Sequence, residues 1–513
     1  TLPLMLRMVH RIASWILKRR IEHVDHFMNH PWRVQFEVFR HLVAQGSLTA
    51  WGKTYGFSPQ MTIDEFRERV PISTYEELYP WIDREFYGEK SVLWPGKREW
   101  FSKSSGTTND KSKYIPVTAE ALEHCHYRAG QDMLAMYLAQ KPDSKLFTGK
   151  ALSIGGSLFP HPKDKDIKFG DVSAVITENL PRFYELVRTP RKQVAYMTNW
   201  EEKIEAMAKE AMDEDVTSMA GVPTWTLVLL QHMLQRSEGK YQSIRDIWPN
   251  IELYLHGGVS FEPYRQQFNQ LIPGAMNYID CYNASEGYFA FQHDLNSKDL
   301  LLLLDYGIFY EFIPMDKFDE ERPKTHTLEE VELGVNYAMV ISTNAGLWRY
   351  LIGDTVMFTS KNPFLIKITG RTKHFINAFG EELMVDNAES AISMACTSTG
   401  AVLSNFTAGP IYLEGGNRGG HEWLIEFEKE PQDIRRFGEV MDQELMRLNS
   451  DYEAKRQGDL ALGFPTIHVL PSGSFHKWMK KRGKLGGQHK VPRLANHRRY
   501  VEEIIEMLAL EKG

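Results

Sequence analysis

Apolar residues recur every three to four positions from Leu4 to about Tyr55, with Trp32, Phe36, Phe39 and Leu42 on one side and Pro31 as punctuation. That spacing matches the turn of a helix, so the chain is expected to open with helices. From Val92 to Val117 the pattern changes to short extended pieces around Ser104-Ser105-Gly106-Thr107-Thr108, and Ala119 to Leu138 then reads as a long helix. Strand, polar loop, helix is an order that suits an anion, because a helix start collects unpaired N–H groups. Glu201 to Met212 and Thr224 to Leu234 are helical in pattern, with Met219 to Pro223 expected as a turn. Ile251 to Leu255 reads as a strand ending at His256-Gly257-Gly258, and Asn277 to Tyr282 as another ending at Asn283-Ala284-Ser285-Glu286-Gly287. Polar loops at strand ends are where α/β sheets hold ligands.

Leu300 to Leu304, Phe309 to Ile313, Asn336 to Ser342 and Met357 to Thr359 read as strands of a β-rich subdomain, and the pattern breaks around Thr369-Gly370-Arg371-Thr372-Lys373. A helix (Asp386 to Cys396), strands (Ala401 to Ala408, Glu422 to Phe427), a helix (Gln432 to Asn449) and a basic, glycine-rich tail follow. At 513 residues the chain exceeds what one core organises. The expectation is an α/β protein with a large domain over 1–372 and a smaller α+β domain over 373–513.

Composition narrows the function classes. With 42% hydrophobic and 25% charged residues the chain is globular, and a net charge of -7 speaks against a nucleic-acid partner. The basic run Lys477 to Lys484 reads as a solvated face. Cys125, Cys281 and Cys396 lie far apart without a CxxC pair, which excludes a disulfide framework or zinc site and suits a reducing cytoplasm. Leu2 to Leu17 is interrupted by Arg7, His10 and Arg11, so an amphipathic surface helix is expected there, with no membrane association. Lys18-Arg19-Arg20 follows this stretch, the reverse of a signal peptide. A monomer is expected.

The candidate chemistry is that of a nucleotide. Gly106 lets the backbone approach an anion, the hydroxyls of Ser104, Ser105, Thr107 and Thr108 can donate to phosphate oxygens, and Lys111 or Lys113 can neutralise charge. Tyr282 can stack on adenine while Glu286, four residues on, holds magnesium. Asp354, after Gly353, suits two ribose hydroxyls, and Arg371 can reach the ribose or the α-phosphate. P-loop, HExxH and GxSxG patterns are absent.

Together these segments resemble the plant auxin-responsive acyl acid–amido synthetases and their bacterial relatives, within the acyl-adenylate-forming, firefly luciferase-like superfamily. Ser104 to Thr108 with Lys113 is similar to the family's phosphate motif, Tyr282 to Glu286 to its Tyr-x-x-(Ser/Thr)-Glu motif, and Arg349-Tyr350 with Gly353-Asp354 to its Arg-Tyr-Arg-x-Gly-Asp motif. Val222-Pro223 and His256-Gly257-Gly258-Val259-Ser260 resemble segments that wall the acyl pocket and border the adenine. Gln488-His489-Lys490-Val491-Pro492-Arg493 resembles the run that best separates the amido synthetases from other adenylate formers. Three residues depart from the pattern: Asp110 stands for a glycine, Leu351 for the second arginine and His489 for a tyrosine.

The resemblance implies an adenylate-forming large domain, a mobile C-terminal domain hinged near Lys373, ATP and Mg2+, a carboxylic acid and an amino acid as substrates, and an amide-forming ligase. It implies Ser105, Thr107, Thr108 and Lys113 at the phosphates, Ser285 and Glu286 at the magnesium motif, Gly257 and Gly258 beside the adenine, and Lys490 as the adenylation lysine. An acyl-CoA ligase and a degenerate nucleotide-binding protein are the competing readings. The acyl pocket is expected from Leu227 to His232, Val259 to Phe261 and the helix after Ala119.

Overall fold

The computed structural model of the chain describes residues 19–105, 112–161, 164–259, 261–372, 375–413, 418–459, 461–482 and 491–510. Gly106, Thr107, Thr108, Asp110, Lys111, Lys373, Gln488, His489 and Lys490 lie outside them, as does the Ser105 side chain.

The described residues form an eleven-stranded sheet in two halves. Its spatial order is Ile308–Pro314, Asn336–Thr343, Tyr350–Lys361, Phe364–Arg371, Leu300–Leu302, Gly287–Phe291, Asn277–Ala284, Leu253–Gly257, Val216–Gly221, Lys150–Ser153 and Arg188–Thr189. From Asn277–Ala284 to Arg188–Thr189 the strands run parallel, and from Gly287–Phe291 to Ile308–Pro314 they alternate. The hairpin at Ala284 to Gly287 therefore joins the two regimes, and it carries Ser285 and Glu286. Parallel strands require crossover helices. Trp200–Met212 and Pro223–Arg236 serve here, the second with Pro223 in its first turn, where a missing N–H costs nothing.

The N-terminal helix Pro31–Gly46 packs on the antiparallel half. Its buried Gln35 bonds Leu304 O, Ile308 O and the Tyr310 N–H, which satisfies backbone groups beside the Ile308–Pro314 strand.

Beyond residue 375 a three-stranded sheet (Val402–Ile411, Gly420–Lys429, Thr466–Leu470) carries helices on both faces. Side chains alternate across a strand. Accordingly Trp423, Ile425 and Phe427 join the core with Val385–Thr399 and Ile434–Leu448, while Leu424 faces Phe475, Trp478, Val501 and Ile504. The first of these cores is continuous with side chains from Leu152 to Phe268, so the C-terminal unit is packed against the parallel half of the large sheet.

Several local expectations are corrected. The described residues on either side of the phosphate motif are paired strands, Trp100–Ser105 with Ser112–Val117, so a second strand stands between the motif and the helix that begins, as expected, at Ala119. Met219 to Gly221 ends a strand, because its backbone pairs with Leu253–Gly257 on one side and Lys150–Ser153 on the other. Tyr350–Lys361 and Phe364–Arg371 are long paired strands that take in Gly353-Asp354 and Thr369 to Arg371. The tail holds the Thr466–Leu470 strand and the helices Ser474–Lys481 and Arg499–Leu510. Lysine-rich Ser474–Lys481 is amphipathic, with Phe475, Trp478 and Met479 buried.

Candidate active site

A cavity of about 630 Å³ opens at the carboxyl ends of four parallel strands. Ser153 to Gly156, Ala220 to Val222, Leu255 to Gly258, and Cys281 with Asn283 line it, which is where an α/β sheet leaves room between diverging connections. Lys103 and Ser104 enter from the phosphate hairpin and Met133 from the helix after Ala119. Ser450 to Gln457 of the C-terminal unit complete the lining.

One wall is aromatic. Trp200 and Trp225 stack with centroids 3.9 Å apart and planes 7° apart. Leu227, Leu229 and Leu230 are sealed in the core, and Phe261 is buried under His256 at 4.1 Å, so the expected pocket segments after Trp225 and after Gly258 supply support in place of lining. The helix turns them inward, since only the residues of its first turn face the strand ends.

Backbone proximity explains the two glycines of the His-Gly-Gly segment. A Cβ on Gly257 would lie 2.3 Å from Cys281 O on the neighbouring strand, and Gly258 has φ +80°, a region costly for other residues. Gly258 O accepts from Asn377 Nδ2 at 2.9 Å, which fastens this loop to the start of the C-terminal unit.

Pleat alternation sends the next candidates to the other side of the Asn277–Ala284 strand. Cys281 and Asn283 face the cavity, whereas Tyr282 between them donates from its hydroxyl to Asp354 Oδ2 at 2.7 Å. At 6% exposed and packed on Phe289, Tyr282 leaves little ring surface for the adenine stacking expected from the sequence. Its visible role is to hold the Asp354 carboxylate. Asp354 also pairs through Oδ1 with Arg371 Nε at 3.0 Å, and Arg371 Nη2 reaches Glu382 Oε1 at 3.1 Å. Burial opposes the charge on Arg371, but Glu382 and Asp354 outweigh it and hold its pKa above the usual value.

Glu286 lies in the adjoining hairpin, buried, with the Tyr350 hydroxyl donating to its Oε1 at 3.2 Å. Burial raises its pKa, and the charge of Lys113 acts in the opposite direction. Ser102, on the Trp100–Ser105 strand of a separate four-stranded sheet, donates to Ser285 Oγ at 2.9 Å, tying the hairpin that carries Glu286 to that sheet. Lys113 sits 5.7 Å above the Tyr75 ring. The fold thus brings Lys113, Ser285, Glu286, Tyr282, Asp354 and Arg371 together beside the Asn277–Ala284 strand, with Ser104, Gly257 and Gly258 on the cavity side.

The Arg-Tyr-x-x-Gly-Asp motif divides its labour. Tyr350 holds Glu286 and Asp354 holds Arg371, but Arg349 points into the core, where it grips Glu311 with two bonds of 2.9 Å. Leu351, in the place of the second arginine, packs on an apolar cluster with Ile313, Ala338 and Val340. Sequence reasoning placed Tyr350 in a motif without a role and missed Asn377, Trp200, Trp225 and Lys455 as cavity or site residues. Each is distant in the chain from what it touches, and no local spacing marks it.

The overall arrangement is an α/β fold with solved counterparts. It is similar in fold to a solved GH3.15 acyl acid amido synthetase, with a TM-score of 0.59 at 16% identity covering 95% of this chain and 96% of that one. It is also similar in fold to a 2-hydroxyisobutyryl-CoA ligase, with a TM-score of 0.51 at 12% identity over 95% and 93%. The GH3 family N-terminal domain matches residues 20–276, the central domain 301–371 and the C-terminal domain 386–499. The chain belongs to the GH3 family. Among curated relatives, indole-3-acetic acid-amido synthetase GH3.3 of Arabidopsis thaliana is 22% identical, with 90% of this chain and 89% of that protein covered. The 4-substituted benzoates-glutamate ligase GH3.12 of the same plant is 24% identical over 83% and 87%, and jasmonoyl–L-amino acid synthetase JAR4 of Nicotiana attenuata 22% over 90% of each.

Proposed function

We propose that this chain is an ATP-dependent acyl acid–amido synthetase that joins a carboxylic acid to the amine of an amino acid. The observation that carries the reading is the cavity itself. It lies at the parallel strand ends, receives Lys103 and Ser104 from the phosphate hairpin, and is closed by Ser450 to Gln457 from the C-terminal unit.

In the first half-reaction a carboxylate oxygen of the acid attacks the α-phosphorus of ATP, the bond to the bridging oxygen breaks, and pyrophosphate leaves. In the second, the amine nitrogen attacks the acyl carbon, the bond to the AMP oxygen breaks, and the amine proton passes to solvent. The protein positions groups and neutralises charge. Ser104, Ser105, Gly106, Thr107, Thr108 and Lys113 would hold the phosphates, Asp354 the ribose and Arg371 the ribose or α-phosphate. Tyr282 acts through Asp354. By the family resemblance Lys490 would serve the adenylation step and Lys373 the hinge.

The donor set suits magnesium, which takes one or two protein carboxylates beside substrate phosphates. Glu286 would hold it, and a buried carboxylate gains most from such a cation; bound there, magnesium would neutralise triphosphate charge.

The test is product analysis with panels of carboxylic acids and amino acids. AMP and pyrophosphate should appear only with a suitable acid, and an amide only when an amino acid is added. ADP as product refutes the reading, and a thioester formed with coenzyme A in place of an amide redirects it.

A further inference from the structure

The cavity contains a cation for which the adenylation chemistry above has no use. Lys455 belongs to the helix Ser450–Arg456, is 8% exposed and lines the cavity. Its ammonium lies 5.4 Å from the centre of the Trp225 ring, and the backbone of Gly380 backs it, a Cβ there falling 3.7 Å from Nζ. Among the described residues no carboxylate or other acceptor pairs with it. Its neighbour Arg456 makes the contrast, because that guanidinium is spent on Asp442 and Asp459. Asp451 stands four residues before Lys455, the helical spacing that ordinarily forms an ion pair, and both Asp451 and Glu453 line the same cavity. Neither pairs with Lys455.

A lysine side chain buried to this degree gains from a counter-ion, and the face of one indole supplies only part of what a carboxylate would. The aromatic wall of Trp225 and Trp200 supplies the apolar contact that would seat a ligand bearing such a carboxylate, with the cation directly above one ring.

We propose that Lys455 recognises a free carboxylate on a substrate in this cavity, either that of the acceptor amino acid or a second carboxylate on the acyl acid. The assignment rests on the synthetase reading for the identity of those substrates. It makes Lys455 a specificity residue contributed by the C-terminal unit.

The experiment is titration calorimetry on the full chain with four sets of probes: the L-amino acids, their α-amides, benzoate and 1,4-benzenedicarboxylate. A carboxylate-bearing probe should bind wild type, lose at least tenfold in affinity with Lys455→Met, and regain it with Lys455→Arg. The counterpart that lacks this carboxylate, the α-amide for an amino acid and benzoate for the dicarboxylate, should bind wild type and Lys455→Met alike. Loss confined to the amino acids names the acceptor, and loss confined to the dicarboxylate names the acid. Lys455→Gln carries the same reading if the methionine variant does not fold, and Lys240→Met, an exposed lysine on the Tyr241 ring, is the control. Equal loss for a probe and its counterpart without the carboxylate, or no probe that distinguishes wild type from the Lys455 variants, overturns the proposal. AMP release by wild type is followed in parallel. Binding with the Lys455 signature but no AMP would refute the synthetase reading and leave the carboxylate site standing.

Discussion

Replacing Arg349 by methionine should damage the fold before the chemistry. Arg349 is 5% exposed and donates from Nε and Nη2 to the two oxygens of Glu311 at 2.9 Å, from Nη2 to Thr325 at 3.1 Å, and from Nη1 to the carbonyls of Arg67 and Val70 at 3.0 and 2.8 Å. It adopts φ +42°, a left-handed conformation that a non-glycine residue keeps only when its surroundings hold it there. Methionine matches the stem but removes all five bonds. Glu311, 1% exposed, would keep Thr325 and a longer contact to Arg67 at 3.5 Å. Breaking a buried pair from one side costs about 3–5 kcal/mol, a large share of the ~5–15 kcal/mol that holds a domain together. Adding Glu311→Leu should return most of the loss, because the stranded charge then goes too. Urea unfolding followed by tryptophan fluorescence reads this directly, with Trp348 as the adjacent reporter. If Arg349→Met is as stable as wild type while adenylation collapses, the arginine acts on the nucleotide and the reasoning is wrong.

Glu286→Gln should lose adenylation a hundredfold to a thousandfold, the ~3–4 kcal/mol that one well-placed transition-state contact is worth, while keeping its stability. Burial raises the Glu286 pKa in the folded state, so its stabilising contribution is full below the ordinary carboxylate range and is lost as pH rises through the raised value. Unfolding midpoints at pH 8 should therefore favour the glutamine variant or tie, with wild type gaining on it towards pH 4; full activity, or a clear loss of stability at pH 8, contradicts the assignment. Lys203 is buried with Nζ on Gly155 O at 2.6 Å, and burial lowers its pKa to about 8 against the opposing pull of Asp171. The unfolded chain keeps that proton to higher pH, so this lysine's contribution rises as pH climbs past 8. Wild type should gain on Lys203→Met between pH 7 and pH 10, and parallel pH profiles would show that Lys203 does not titrate as described.

Reading the motifs as a set identified the family, and those that fall on described residues sit where short-range sequence dictates local form. Gly257-Gly258 and Gly353-Asp354 mark positions where backbone approach or a positive φ is required, and Tyr282 to Glu286 occupies a hairpin whose register alternation alone decides. The turn expected at Met219 to Pro223 failed for the opposite reason. Small residues look like punctuation until two neighbouring strands supply hydrogen bonds to them. The basic tail misled similarly, since Trp478 and Met479 read as helix only once Leu424 and Ile504 are present to bury them.

By itself the amino-acid sequence determined the α/β class, the order of most helices and strands, and the residue types of the proposed nucleotide site, because propensity, periodicity and glycine geometry act over a few neighbouring positions. Tertiary structure alone decided that Tyr282 holds Asp354, that Arg349 serves the core, and that Lys455 lies over Trp225 across more than two hundred residues of chain. Those pairings depend on which strands lie side by side and on which face of each strand a side chain emerges. Both are settled by burying apolar surface over the whole molecule, and no local pattern encodes them.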